Sequence, residues 1–293
     1  MGQALILGCG YTGRRVARRL LERGFDVTAT SREPESLSDL AKAGVRVTLL
    51  NALAPSSLEA LRSLVQPGAL VLHSIPVLEG PGGLYDPTPE LLERLGRRPR
   101  RVVYLSTTSV YGTARQVNER TEPAPASESA RLRLAAEKAV AAGPWSWMIL
   151  RPAAIYGPGR GVHEALRRGR FRLAGGGRNY VSRIHVDDLA AITAAAMLSH
   201  HTGAWPVADA EPCPSIEIAR FCADLLGLPL PPAVPADELQ ETRRTDRRVD
   251  ASAVLRLLGV KLRYPSYRVG VPAALAEAEA PCAPHAGGER EAG

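Results

Sequence analysis

Along the first half of the chain, short apolar runs alternate with longer stretches whose apolar residues recur at helical spacing. Ala4 to Leu7 is an unbroken apolar run, the pattern of a strand covered on both faces of a parallel sheet. Gly8-Cys9-Gly10-Tyr11-Thr12-Gly13 interrupts it. Val16, Leu20 and Leu21 then fall on one helical face among arginines, until Gly24 stops the segment. The same rhythm predicts strands over 27–30, 45–50, 69–73, 102–105 and 147–150, and helices over 36–43, 57–64, 90–95 and 129–141. Pro123 and Pro125 mark a loop over 112–127. Repeated β-α-β units imply a parallel sheet with right-handed crossovers.

After Pro152 the pattern changes. Residues 157–178 are rich in Gly and Arg. Val186-Asp187-Asp188 opens an alanine-rich helix with an Asp placed as its N-cap. A strand is expected over 205–208. An amphipathic helix over 215–226 carries Ile218, Phe221 and Leu225 on one face and closes at Gly227 and Pro229. From about 276 the Ala, Glu, Pro and Gly content reads as a disordered tail.

Composition removes several function classes. With 45% hydrophobic and 23% charged residues the chain has ordinary globular make-up. Cys9, Cys213, Cys222 and Cys282 show neither CxxC nor metal-ligand spacing, which argues against a disulfide framework or structural zinc and for a reducing compartment. The formal charge of +7 comes from 37 basic and 30 acidic residues, and all but three of the basic residues are arginine. The arginine clusters at 97–101, 167–172 and 243–248 lie far apart with little aromatic interleaving, so a nucleic-acid partner is not expected. The most apolar helical run, 189–198, is about half the length a bilayer requires. A membrane partner is therefore not expected, and the chain reads as cytoplasmic.

Gly8, Gly10 and Gly13 form a G-x-G-x-x-G that follows a predicted strand and opens a predicted helix, the context a dinucleotide cradle requires. Gly8 permits the tight turn, Gly10 admits a pyrophosphate, and Gly13 allows close helix–strand packing. Tyr11 and Thr12 belong to the same loop, whose helix N-terminus offers N–H groups to phosphate. At the end of strand two, where an acidic residue would accept from the ribose 2′-OH of NAD, stand Thr30, Ser31 and Arg32. A guanidinium fork matches a 2′-phosphate, and the two hydroxyls add bonds. NADP(H) is the preferred cofactor, with NAD(H) as the alternative. The expected fold is α/β, a Rossmann-like doubly wound parallel sheet with a small C-terminal substrate lobe. Residues 1–152, completed by about 183–210, form the NADP-binding domain; 153–182 and 211–275 form the substrate lobe; 276–293 form the tail.

Leu105-Ser106-Thr107-Thr108-Ser109-Val110-Tyr111-Gly112 resembles the S-S/T-x-x-V-Y-G segment of the extended short-chain dehydrogenase/reductase family, which holds nucleotide-sugar epimerases and dehydratases. Further matches keep the family's order: the 8–13 loop, Leu150-Arg151-Pro152-Ala153-Ala154-Ile155-Tyr156-Gly157-Pro158-Gly159, Arg183-Ile184-His185-Val186-Asp187-Asp188-Leu189-Ala190 and Leu257-Leu258-Gly259. The resemblance implies that Thr107 bonds a substrate carbonyl or hydroxyl. It implies that Ser74, Ile75, Pro76 and Ser106 line the cofactor, and that Arg151, Pro152, Ala153 and Ile155 run beside the nicotinamide. Arg247 and Arg248 belong to a 243–248 cluster that stands where family members hold a substrate phosphate, with a solvated face as the plainer alternative.

One departure is decisive. The family base is the Tyr of Tyr-x-x-x-Lys, and counting back from Glu137 puts Ser129 at the Tyr position and Arg133 at the Lys position. Serine has no pKa suited to general acid/base work, while Arg133 can still bond the nicotinamide ribose. The combination resembles an atypical branch, the bacterial YeeZ-like group of NAD(P)-binding, epimerase/dehydratase-like proteins. Val117-Asn118-Glu119 and Arg263-Tyr264-Pro265-Ser266-Tyr267 fit it too. Tyr111, four residues after Thr107, is the candidate substitute acid/base, or else a packing tyrosine; Tyr156 is a second candidate on the substrate side. His185 reads as a backbone-ordering residue before a proton shuttle, His200-His201 as a helix end, and Asp187-Asp188 as a cap with no metal. The leading reading is an NADP(H)-dependent oxidoreductase, or an epimerase/dehydratase-like enzyme, acting as monomer or homodimer on a small polar metabolite such as a nucleotide sugar. The alternative is a non-catalytic NADP(H)-binding sensor or interaction protein.

Overall fold

The computed structural model describes residues 2–80, 82–239 and 245–279. Seven strands form one parallel sheet: β1 (Gln3–Leu7), β2 (Asp26–Ser31), β3 (Arg46–Leu49), β4 (Ala69–His73), β5 (Pro99–Leu105), β6 (Ser146–Pro152) and β7 (Ala204–Val207). Their spatial order is β7-β6-β5-β4-β1-β2-β3. The chain winds outward from β1 to β3, then crosses to β4 on the other side. This order is that of a doubly wound Rossmann-like sheet, and its switch point lies between β1 and β4, where ligands bind beyond the strand ends.

Alternation along β1 explains why both faces are covered. Ala4 and Ile6 join one core with Val16, Ala17 and Leu20 of α1 (Tyr11–Leu21). Leu5 and Leu7 join a second core with Leu91, Leu92 and Leu95 of α2 (Thr88–Leu95) and Ala136 and Val140 of α3 (Glu128–Ala141). Full burial of each such leucine contributes roughly 1.5–3 kcal/mol. The alanine-rich helix α4 (Val186–Leu198) packs on α1 and is buried nearly all round, so the chain beyond Pro152 returns to close the first core. A third cluster, including Tyr156, Leu166, Cys222, Tyr267 and Val271, fills the C-terminal lobe between α5 (Ser215–Leu226) and α6 (Tyr267–Glu279). Among the described residues no helix is long and apolar enough to cross a membrane.

Several local expectations are corrected. The helix over 57–64 is two short pieces, Pro55–Glu59 and Leu61–Leu64. Strand five begins at Pro99 and buries Arg101, part of the 97–101 arginine cluster; its guanidinium donates to the Ala196 and His201 carbonyls and to Ser146 Oγ. The N-cap of α4 is His185, whose Nδ1 accepts from the Asp187 N–H at 3.2 Å. Asp187 instead pairs with Arg15 at 2.7 Å, and Asp188 accepts from the N–H groups of Arg263 and Tyr264. Residues 276–279 are the last turn of α6 and not a tail. Residues 280–293, with Cys282, lie outside the described residues, as do Arg243 and Arg244.

Candidate functional site

At the switch point the β1–α1 turn is built by its glycines. Gly8 adopts φ +81°, and a Cβ there would stand 2.8 Å from Ile75 Cγ1. A Cβ on Gly13 would press on the Gly8 carbonyl at 3.1 Å. Thr30, fully buried under the turn, accepts from the Gly8 N–H at 3.1 Å, and Ser74 donates to the Gly8 carbonyl at 3.1 Å. Gly10 differs: a Cβ there would meet nothing within 4 Å and would project into open space. It opens α1, whose first turn holds no acidic residue and no side-chain cap, leaving the N-terminal N–H groups to a ligand.

Over this turn lies a cavity of about 730 Å³. Gly8, Gly10, Tyr11, Thr12, Ser31, Arg32, Ser74, Ile75, Pro76, Ser106, Arg133, Pro152 and Ile155 all line it. Four expected cofactor residues do not. Gly13 and Thr30 support the turn from beneath, Arg151 is buried behind β6, and Ala153 lines a neighbouring cavity. Arg14 and Glu33 also line the first cavity and were missed in the sequence reading. Arg14 is tied to Asp39 at 3.1 Å, whereas Glu33 is exposed. A cavity over a glycine turn into which a Cβ at Gly10 would project, with Arg32 and Arg133 among its lining residues, fits a dinucleotide.

A second cavity of about 990 Å³ adjoins the first and shares Ser106, Pro152, Ile155 and Arg160 with it. Thr107 and Ser129 line it with Ser109, Ser127 and Glu128. Thr107 Oγ1 accepts from the Ser109 N–H at 3.2 Å, which leaves its own O–H free to donate to a ligand oxygen. Arg133, at the Lys position, donates to Tyr104 Oη at 2.6 Å and to the Ile75 carbonyl at 3.2 Å.

Behind this wall runs a buried polar network. Ser106 Oγ donates to Glu137 at 2.5 Å, Arg151 grips the same carboxylate with a closest contact of 2.6 Å, and Arg151 also donates to Tyr111 Oη at 3.1 Å. Tyr111 therefore does not open onto the second cavity as a substitute acid/base would. Its phenol is buried, and burial raises its pKa further from neutrality while the Arg151 charge opposes the rise. Tyr156 is buried in the lobe and donates to the Ser266 carbonyl at 3.2 Å; burial raises it strongly. Arg247 lines the second cavity, yet its guanidinium is engaged on the Ala114 carbonyl at 3.1 Å, the Thr108 carbonyl at 2.6 Å and the Gly112 carbonyl. Arg248 stacks on Tyr180, 3.4 Å from the ring centre, away from both cavities. Arg247 therefore fastens the lobe to the 108–114 turn and Arg248 packs within the lobe, so neither stands ready for a phosphate. The arginine standing at the junction is Arg160, which sequence reasoning passed over as one of many.

Comparison with known proteins agrees with this fold. The profile of the "NAD dependent epimerase/dehydratase family" matches residues 4–206. The chain is 28% identical over 278 residues to "Protein YeeZ" of Escherichia coli (strain K12), covering 90% of this chain and 97% of that protein. It is 32% identical over 149 residues to a Streptomyces sp "3-diazoavenalumate denitrifying reductase", covering 46% of this chain and spanning about half, 49%, of that relative's length. Among solved structures, a functionally unknown conserved protein from Silicibacter pomeroyi aligns with TM-score 0.77 and 34% identity over 96% of this chain and 100% of that one. The chain belongs to the NAD dependent epimerase/dehydratase family.

Proposed function

We propose that this protein is an NADP(H)-dependent oxidoreductase acting on a small polar metabolite. The observation that carries the reading is the pair of adjoining cavities, the first floored by the glycine turn and the second lined by Thr107. Gly8, Gly10, Tyr11 and Thr12 hold the pyrophosphate, with the N-terminal N–H groups of α1 facing it. Ser31 and Arg32 take the 2′-phosphate, a role a guanidinium fork suits better than any other side chain. Ser74, Ile75, Pro76, Ser106, Pro152 and Ile155 form the wall beside the nicotinamide, and Arg133 bonds its ribose. When bound, the nicotinamide supplies or accepts the hydride. Thr107 orients the substrate oxygen, and Glu137 with Arg151 fixes Ser106 from behind. A Streptomyces relative named as a reductase supports net reduction of a carbonyl compound over epimerisation. With Ser129 at the position of the usual tyrosine, the proton that accompanies the hydride would come from water in the second cavity.

That same serine, with Tyr111 and Tyr156 buried, favours a second reading: a non-catalytic NADP(H)-binding sensor. Exposed Glu33 on the cavity wall favours NAD(H) as the cofactor, because a carboxylate there can accept from a ribose 2′-OH. Calorimetric titration of NADPH and NADH separates the cofactors. Arg32→Ala is expected to weaken NADPH by roughly 1.5–3 kcal/mol, the range for hydrogen bonds to charged groups, and to leave NADH unchanged. A wild type that prefers NADH, or equal losses for both, contradicts the NADP assignment. Cofactor turnover with sugar nucleotides and simple carbonyl compounds then separates enzyme from sensor.

A further inference from the structure

Arg160 ends a tight turn in which Gly157 and Arg160 exchange backbone hydrogen bonds, at 2.9 Å and 3.0 Å. The turn is fastened to the cofactor loop: Tyr11 Oη donates to the Pro158 carbonyl at 3.0 Å, and a Cβ on Gly157 would come within 2.7 Å of that same oxygen. The Arg160 guanidinium lies 5.5 Å from the centre of the Tyr11 ring. It is exposed and, among the described residues, makes no ion pair and no side-chain hydrogen bond. Its neighbours differ. Arg15 pairs with Asp187, Arg133 donates to Tyr104, Arg151 grips Glu137, and Arg247 is engaged on backbone carbonyls. Arg160 is thus a cation carried by a fastened turn, on the wall of both cavities, with its five donors unengaged.

We infer that Arg160 is the anion-recognition residue of the second cavity, and that the substrate is a carbonyl compound carrying a carboxylate or a phosphate. This deepens the oxidoreductase reading and rests on it. The planar fork of arginine matches either anion with two parallel charge-assisted bonds. The cofactor's own pyrophosphate would have other partners, the unpaired N–H groups at the start of α1. On the same cavity wall the free O–H of Thr107 donates to the substrate's carbonyl oxygen, so one ligand meets a donor for its oxygen and a fork for its charge.

The test uses two probes, phenylpyruvate for carboxylate and inorganic phosphate, titrated into the intact protein with and without NADPH and followed by ligand-observed NMR and calorimetry. The expected result is that at least one probe binds, and that Arg160→Gln weakens it about tenfold or more. Arg160→Lys should fall between, since it keeps the charge and loses the fork. The thermal midpoint should stay at the wild-type value, because the side chain is exposed, and the loss should fall on the probes rather than on NADPH, whose pyrophosphate would be held by the N–H groups at the start of α1. Binding of only one probe identifies the anion. The inference is overturned if neither probe binds while NADPH does, or if Arg160→Gln weakens NADPH and spares the probes, which assigns the arginine to the cofactor. If NADPH itself fails to bind the wild type, the oxidoreductase reading falls, and the probe titrations on the free protein still decide the role of Arg160.

Discussion

Glu137 and Arg151 are both almost fully buried, and the carboxylate accepts from Ser106 as well as from the guanidinium. A buried pair of this kind adds little net stability over an apolar pair, but removing one partner strands the other. Glu137→Gln should therefore destabilise the fold by about 3–5 kcal/mol, measured by urea unfolding. A loss below about 1 kcal/mol would mean that water reaches Arg151 and replaces the carboxylate. Gly8 carries a different constraint. Its φ of +81° and the nearness of Ile75 make Gly8→Ala strained twice over. A loss of about 1–3 kcal/mol is expected, with NADPH binding reduced because the turn must shift. At this scale the sequence was most legible where a residue's role is conformational. Gly8 and Gly13 could be read from their spacing together with the strand before them and the helix after. Arg160 could not, because nothing in a sequence rich in arginine separates a paired guanidinium from an unpaired one.

Elements are joined by buried polar contacts that make the fold sensitive to pH. His73, at the end of β4, is fully buried and hydrogen-bonds Thr88 of α2 at 2.8 Å. Burial, with the Arg133 charge behind it, pushes its pKa down to about 3. His185 at the start of α4 is lowered as well, by burial against the opposing Asp187 carboxylate. An unfolded chain titrates its histidines near 6.5, so below that pH the unfolded state takes up protons that the native state refuses. Stability is full above about pH 6.5 and falls as the pH drops toward 4, by about 1.4 kcal/mol per pH unit for each histidine. His73→Gln keeps a donor toward Thr88 and should flatten part of that slope in urea melts taken across the range. An unchanged slope would mean that His73 is protonated in the native state.

The sheet and its helices were predictable because runs of four or more residues carry a period. The two- and three-residue pairings of the lobe, such as Ala154–Tyr156 beside Arg183–His185, carry none. Helix α6 was not among the expected helices, and it holds Gly270 and Pro272, residues that weaken a helical pattern. Yet Gly270 is where the helix meets Tyr156, with no room for a Cβ. For Tyr111 the structure favours the packing alternative over the acid/base one. Tyr111 sits on a short turn over 108–111, and its direction is set by Arg151, forty residues away on β6.

At the scale of the whole molecule, the N-terminal half is completed by later segments. Strand β7 completes the sheet beside β6, and α4 covers α1, although both come from beyond Pro152. A fragment of residues 1–152 would leave β6 as a bare edge and the α1 face uncovered. It is expected to be insoluble or molten and to bind no NADPH, whereas the intact protein should unfold in one cooperative transition. A soluble, NADPH-binding fragment would show that the first sheet domain is independent. The cradle itself is tested most directly by calorimetric titration of NADPH into the wild type and into Gly10→Val. A side chain at Gly10 meets open space, so the variant should keep the wild-type thermal midpoint. Its two methyl groups would occupy the place of the pyrophosphate, so the wild type should bind one NADPH per chain and the variant none. Wild-type NADPH affinity in Gly10→Val would contradict the account and place the cofactor elsewhere.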